Sequence, residues 1–314
     1  MTFKAKIMKI FIISPNIDTF FSSKQIDLLN KAGEIVFHKK MTSYEEVPGL
    51  FEGSEDRVLA IDPDFSDWKL PNEVIGKIPN LKVIVLQTTS FSWVDVDFAK
   101  SKGIPVVNLR GFSSIAVSEW ATMMMLNLAR KLPLVVKDNW NQDYTKHKGI
   151  ELRGKLAGVV GLGNIGAAIA ENCRGLGMDV QYWSKNSTDE RFSRVELEAL
   201  IKTSDVILPV VAQNSETQGL LTDEMLKSMK KSAIFVSVIH NVYNHDLLLE
   251  MVKNGDLYGY GFEDPKTRIA DFEGNVWAGP ELAWCTEDSM RKNAVQWIEA
   301  IINASKGEYP TKVN

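Results

Sequence analysis

The sequence predicts an α/β protein of two domains built on parallel sheets. Two observations carry this prediction. Short β-branched runs alternate with helix-like segments in two successive stretches, and a glycine-rich turn follows the first strand of the second stretch. A length of 314 residues is ample for two buried cores.

In the first stretch the strand-like runs are Lys9–Ile13, Glu34–His38, Arg57–Ile61, Leu81–Gln87 and Ile104–Asn108. Their side chains suit a pleated, buried surface. Helical patterns lie between them, such as Lys24–Ala32, which Gly33 stops. Helical crossovers imply strands that run parallel and are covered on both faces. The apolar run Ile7–Ile13 ends at Ser14-Pro15-Asn16. It is too short for a secretory signal, so it is read as the start of the first strand.

A helix follows over about Ser114–Lys131, ended by Pro133. It is apolar nearly all round, which predicts burial on most sides, between domains or between subunits. Its run Met123–Met125 is read as packing, because methionine fills irregular gaps. The second stretch has strands Leu156–Val160, Met178–Trp183, Val206–Pro209, Ala233–Val238, Leu257–Phe262 and Val276-Trp277. A last helix spans about Glu287–Ser305 and is expected to cross back to the first stretch, which lacks a closing helix.

A net charge of −4 gives no electrostatic reason to expect nucleic acid or an anionic membrane as partner. No apolar run approaches the ~20 residues that span a bilayer. Cys173 and Cys285 have no metal-like spacing. The expectation is a cytoplasmic protein that acts on a small molecule, with no metal, membrane or nucleic acid.

The turn Gly161-Leu162-Gly163-Asn164-Ile165-Gly166 sits between a strand and a helix. Gly161 allows the tight turn, Gly163 lets backbone approach a pyrophosphate, and Gly166 permits close helix–strand packing. Free amides at the helix start, from Asn164 and Ile165 onward, meet the anion. This context predicts a dinucleotide site. The next strand decides which nicotinamide. It ends Trp183-Ser184-Lys185-Asn186, with no carboxylate to accept from the adenine ribose. Ser184 and Lys185 can donate to a 2′-phosphate, so NADP(H) is favoured, with NAD(H) as the alternative. The blander reading of Lys185 is a solvated loop lysine.

At this point the chain resembles the D-isomer-specific 2-hydroxyacid dehydrogenases over nearly its whole length. The resemblance rests on Gly103-Ile104-Pro105-Val106-Val107-Asn108 and Ala116-Val117-Ser118-Glu119, and on Leu152-Arg153-Gly154-Lys155 with the glycine turn. It extends through Glu216-Thr217, Met229-Lys230-Lys231, Asn275-Val276 and Pro280 to Ala283-Trp284-Cys285-Thr286-Glu287. The family implies a Rossmann NAD(P)-binding domain, here residues 109–289, inserted in a flavodoxin-like substrate domain, here 1–108 plus 290–314. It also implies a homodimer through the helix near 114–132 and reversible hydride transfer between nicotinamide and a 2-oxo or 2-hydroxy acid.

The family's arginine, histidine and glutamate are all replaced. His240 stands at the arginine position in Ser237-Val238-Ile239-His240-Asn241, and Glu281 stands at the histidine position after Pro280. No glutamate falls at the expected offset in the shortened loop Asp264–Gly274. The substrate-binding turn, expected to be glycine-rich, reads Thr88-Thr89-Ser90-Phe91, which assigns Thr89 and Ser90 to the substrate. An imidazole cannot reproduce the bidentate fork of a guanidinium, and an ionised Glu281 adds repulsion, so simple 2-oxo acids are disfavoured. Arg110 and Arg268 are the nearby arginines that could replace the grip.

The expectation is an NAD(P)-dependent oxidoreductase acting on a carbonyl, hydroxyl or imine, with His240 as proton donor and Glu281 orienting it. An uncharged or cationic substrate fits such a pocket. The alternative is a dinucleotide-binding sensor or assembly protein that has lost its chemistry. Tyr243 and His245 are further proton-transfer candidates, although capping of a helix start is the blander account of His245. His38 and His147 are read as surface residues and Cys285 as packing.

Overall fold

The computed structural model describes residues 8–214 and 216–314, so Ile7 at the head of the first apolar run lies outside the described residues. The chain divides into two compact units. One comprises the described residues up to Ser113 together with Glu287–Asn314, and the other is Ser114–Thr286.

The first unit holds a sheet of β1 (Lys9–Ile13), β2 (Glu34–His38), β3 (Arg57–Ile61), β4 (Leu81–Leu86) and β5 (Val106–Val107). The strands are parallel, in the order β2-β1-β3-β4-β5, which is the flavodoxin-like winding. β1 and β3 are almost wholly buried, as the apolar runs Ile10–Ile13 and Val58–Ile61 within them require. The helix Glu287–Ser305 covers one face, setting Trp297, Ile298 and Ile301 against Val58, Val83 and Val85. Asn293 Nδ2 donates to Gln87 O at 2.9 Å, fixing this helix over the end of β4. His38 is buried, pairs with Thr42 Oγ1 at 2.9 Å and packs edge-on against Phe65. The surface position expected for His38 is thus corrected: its pocket depends on Phe65, a residue distant along the chain. The His147 side chain is likewise nearly buried, with Nε2 3.3 Å from Asp138.

The second unit holds β6 (Leu156–Val160), β7 (Asp179–Trp183), β8 (Ser193–Arg194), β9 (Val206–Pro209), β10 (Ile234–Val236), β11 (Gly259–Glu263) and β12 (Val276–Gly279). Their order is β12-β11-β10-β9-β6-β7-β8, and every pairing is parallel. This is the doubly wound Rossmann sheet, in which strand order reverses between β6 and β9. Ligands bind such sheets beyond the carboxyl ends of the strands at that reversal.

The helix Ser114–Ala129 packs on this unit, with Met124, Met125 and Leu128 fully buried. Two details differ from the sequence expectation. The helix stops at Ala129, and Lys131 takes a left-handed φ of 54°. Pro133 then begins a second helix, Leu132–Lys137, rather than ending the first. Proline is well tolerated in a first helical turn, where its missing N–H has no partner to lose. No described helix is long and apolar enough to cross a membrane.

Candidate active site

The turn after β6 builds the first part of the site. Gly161 has a φ of +102°, a conformation that glycine adopts without strain. Its N–H donates to Trp183 O at 2.8 Å. A Cβ at Gly161 would lie 2.8 Å from Val211 Cγ1, and one at Gly166 would lie 2.0 Å from Gly161 O. Gly163 caps the helix Asn164–Gly175, and a Cβ there would meet nothing within 4 Å. That side of the turn is open to a ligand. Ala167 N donates to Gly163 O at 2.9 Å, which leaves the amides of Asn164, Ile165 and Gly166 ahead of the first helical bond. A close-packed turn, an unobstructed Gly163 and unspent amides at a helix start fit a dinucleotide pyrophosphate.

At the end of β7 the picture is mixed. Ser184 is buried and its Oγ accepts from Ser187 N at 3.2 Å. Lys185 is exposed, but its Nζ lies 2.8 Å from Glu216 Oε2. The ammonium holds the Glu216 carboxyl below its usual range. Arg194, on β8, donates from Nη2 to Ser184 O at 2.9 Å. Arg194 did not enter the sequence argument, because a two-residue strand leaves almost no periodic signal, and Glu216 entered it only as part of the family resemblance.

Thr89 and Ser90 lie in the first unit, exposed in the turn after β4. Thr89 O accepts from Asn108 Nδ2 at 2.7 Å, and Ser90 O accepts from Trp93 Nε1 at 3.1 Å.

His240 and Glu281 come together in the second unit. The chain leaves β10 through a turn in which Ser237 Oγ donates to Ile239 O at 2.8 Å, and His240 N donates to Gln213 Oε1 at 3.0 Å. Asn241 follows with φ +63°, one of the few side chains that tolerate this region. Glu281 emerges from β12 after Pro280. His240 Nε2 lies 3.6 Å from Glu281 Oε1, and both side chains are about half exposed, at 47% and 55%. Such a pair contributes well under ~1 kcal/mol to stability. Its value is in placing an imidazole beside a carboxylate.

The two residues line a cavity of about 320 Å³ with His245, Phe262, Glu263, Asp264 and Pro265. Arg110 and Arg268 are exposed, and neither is among the lining residues. The ionisable lining is three carboxylates and two imidazoles, a field that favours cations over anions.

One of these residues was missed by sequence reasoning, and a second was named there without its partner. Glu263 is the last residue of β11 and is only 6% exposed. Its Oε1 accepts from both Leu282 N and Ala283 N at 2.9 Å, so it ties down the segment that carries Glu281. Burial outweighs those two bonds and raises its pKa to about 7, with the charge of Glu281 adding to the effect. The available signal was a carboxylate closing an otherwise apolar strand at the carboxyl edge of the sheet. His245 is the second. The helix His245–Asn254 is capped by Asn244, whose Oδ1 accepts from Leu247 N at 3.2 Å, so the capping account of His245 does not hold. Instead, His245 Nδ1 meets Tyr260 Oη at 2.8 Å.

Comparison with known proteins agrees with this architecture. Residues 122–274 match the model of the D-isomer specific 2-hydroxyacid dehydrogenase NAD-binding domain. A D-3-phosphoglycerate dehydrogenase of Archaeoglobus fulgidus is 30% identical over 96% of this chain, and the chain spans 58% of that protein's length. A glycerate dehydrogenase of Methylorubrum extorquens is 28% identical over 82% of this chain and 84% of its own. Among solved structures, an acyclic imino acid reductase in complex with NADPH and D-Arg superposes with a TM-score of 0.82 at 23% identity, over 98% of this chain and 100% of that one. The doubly wound sheet, its glycine turn and the matched residues 122–274 together make the second unit an NAD-binding domain of the D-isomer-specific 2-hydroxyacid dehydrogenase kind, and the relatives extend the likeness over nearly the whole chain.

Proposed function

We propose that the protein is a nicotinamide-dependent reductase of small cationic or uncharged substrates with a C=N or C=O bond, acting through His240 and Glu281. The observation that carries this reading is the His240–Glu281 pair at 3.6 Å in a cavity lined by carboxylates and imidazoles, with no arginine among the lining residues. Without a guanidinium fork, a substrate carboxylate loses charge-assisted bonds worth about 1.5–3 kcal/mol each. A cation gains from the same surroundings. The imino acid reductase named above shares this fold, and its bound D-Arg makes imines a reasonable class to test.

Gly161, Gly163, Asn164, Ile165 and Gly166 would hold the pyrophosphate of the dinucleotide, which supplies hydride when bound. His240 would hold the proton destined for the substrate nitrogen or oxygen, and Glu281 would keep the imidazole oriented. Thr89 and Ser90 would contact the substrate. NADP(H) is preferred on the strength of Lys185 and Arg194, while Glu216 and the inward-turned Ser184 weaken that preference. The half-exposed Ile115 and Leu126 on the helix Ser114–Ala129 support a homodimer through this helix. Free Cys173 and Cys285 suit a reducing cytoplasm.

The test is oxidation of NADPH and NADH against 2-oxo acids, aldehydes, ketones and imines formed in situ from a 2-oxo acid and an amine. Turnover concentrated on imines or neutral carbonyls is expected. Tight coenzyme binding without turnover on any class would instead favour a sensor, the reading that the replaced family residues also allow.

A further inference from the structure

The cavity holds a second imidazole whose ring orientation is set from behind. His245 Nδ1 lies 2.8 Å from Tyr260 Oη, Tyr260 Oη donates to Tyr243 Oη at 3.0 Å, and Tyr243 Oη donates to Ile239 O at 3.2 Å. A carbonyl oxygen can only accept. Each hydroxyl has a single proton, so Tyr243 spends its proton on Ile239 and Tyr260 spends its proton on Tyr243. Tyr260 Oη is then an acceptor towards His245, and Nδ1 must carry the hydrogen. The opposite direction would leave one of the three contacts unmade. In the neutral ring this puts the lone pair on Nε2.

The ring is also clamped. Phe262 meets it edge-on at 4.6 Å and 86°, and Tyr260 at 5.5 Å and 62°. Tyr260 is fully buried. Burial lowers the His245 pKa, with His240 acting in the same direction and Asp246 and Asp264 opposing. The neutral ring is therefore the dominant form at neutral pH.

We infer that His245 is a specificity-determining residue of this cavity, locked in the Nδ1–H tautomer by the Tyr260–Tyr243–Ile239 chain so that Nε2 accepts an N–H from the substrate. An iminium or ammonium nitrogen has a hydrogen to offer, whereas a carbonyl oxygen has only lone pairs. The residue thus selects nitrogen-bearing substrates over the parent carbonyls. The inference rests on the reductase reading above. It assigns a separate role from that of His240, which gives a proton where His245 receives a hydrogen bond.

Two measurements test it. Nitrogen-15 NMR of the histidine rings in the full-length protein at pH 8 is expected to report Nδ1–H for His245, and Tyr260→Phe is expected to shift it towards the Nε2–H form. Observation of Nε2–H in the unsubstituted protein would overturn the inference whatever the enzyme reduces. The second measurement compares His245→Phe with the unsubstituted enzyme, using NADPH with cyclohexanone plus methylamine and with cyclohexanone alone. The KM for the imine should rise at least tenfold more than the KM for the carbonyl, the loss of one hydrogen bond to a charged group. Equal effects on both substrates would refute the selection role with the reductase reading intact. Absence of turnover in the unsubstituted enzyme would remove both.

Discussion

The carbonyl oxygen of Gly161 lies 2.0 Å from the point where a side chain on Gly166 would begin. Gly163, by contrast, has open space at the same point. The two glycines therefore answer different requirements, one internal to the fold and one towards a ligand. Gly166→Ala should lower Tm by several degrees and weaken coenzyme binding, because the clash is with backbone. Gly163→Ala should leave Tm within about a degree while weakening NADPH and NADH binding at least tenfold, an energy of about 1.4 kcal/mol. Differential scanning fluorimetry and calorimetric titration of both variants would check the contrast.

The Lys185–Glu216 contact predicts how the coenzyme preference responds to charge. Glu216→Gln removes the competitor for the ammonium and should tighten NADPH several-fold with little change for NADH. Lys185→Ala and Arg194→Ala should each weaken NADPH selectively, by about 1 kcal/mol at low salt, and the effect should shrink at high ionic strength. Ratios of Kd for the two coenzymes would measure this directly. Unchanged ratios in all three variants would remove these residues from coenzyme selection.

Glu263 predicts a pH dependence of stability. Its folded-state pKa of about 7 lies above the ordinary 4.5, so the native protein binds its proton more tightly than the unfolded chain does. Its contribution is fully present below pH 4.5 and is lost as pH rises through about 7. Glu263→Gln retains an acceptor for Leu282 N and Ala283 N without the charge. Relative to the unsubstituted protein it should gain stability across that window, reaching roughly 3 kcal/mol above pH 8 at about 1.4 kcal/mol per pKa unit. Urea unfolding from pH 4 to pH 9 would show it as a widening difference in midpoint.

His240→Ala should reduce turnover about 10²-fold or more, the usual contribution of a positioned acid or base, with coenzyme Kd unchanged. Glu281→Gln should cost about tenfold, since it leaves the imidazole in place and removes only the charge beside it. Steady-state kinetics with calorimetry separates these outcomes, and a fully active His240→Ala enzyme would end the assignment.

Much of the fold was legible in the sequence because its determinants are local. Buried parallel strands such as Arg57–Ile61, apolar after its first residue, and Leu156–Val160 had limits that were visible directly. The glycine turn declared itself through spacing alone. The end of the helix at Ala129 and the new start at Leu132 were not visible, because proline both ends and begins helices and only the left-handed Lys131 distinguishes the cases. His240 and Glu281 were brought into one view by analogy, and the structure supplies their distance. Glu263 escaped, and His245 was named without its partner, because their contacts lie far away in sequence, the amides of Leu282 and Ala283 for one and the hydroxyl of Tyr260 for the other. A strand pattern records burial but not what a buried group touches.

The helix Glu287–Ser305 belongs to the first unit, although the whole of Ser114–Thr286 is translated before it. At about 5–20 residues per second, the ribosome takes on the order of ten to thirty seconds to cross that interval. Throughout it, Val58, Val83 and Val85 lack the tryptophan and isoleucines that later cover them. The contiguous Rossmann unit is thus the first able to complete its core, and the earliest-made strands wait with a bare apolar face. Nascent chains stalled before Glu287 should recruit holdase chaperones, and synthesis of the final helix should release them.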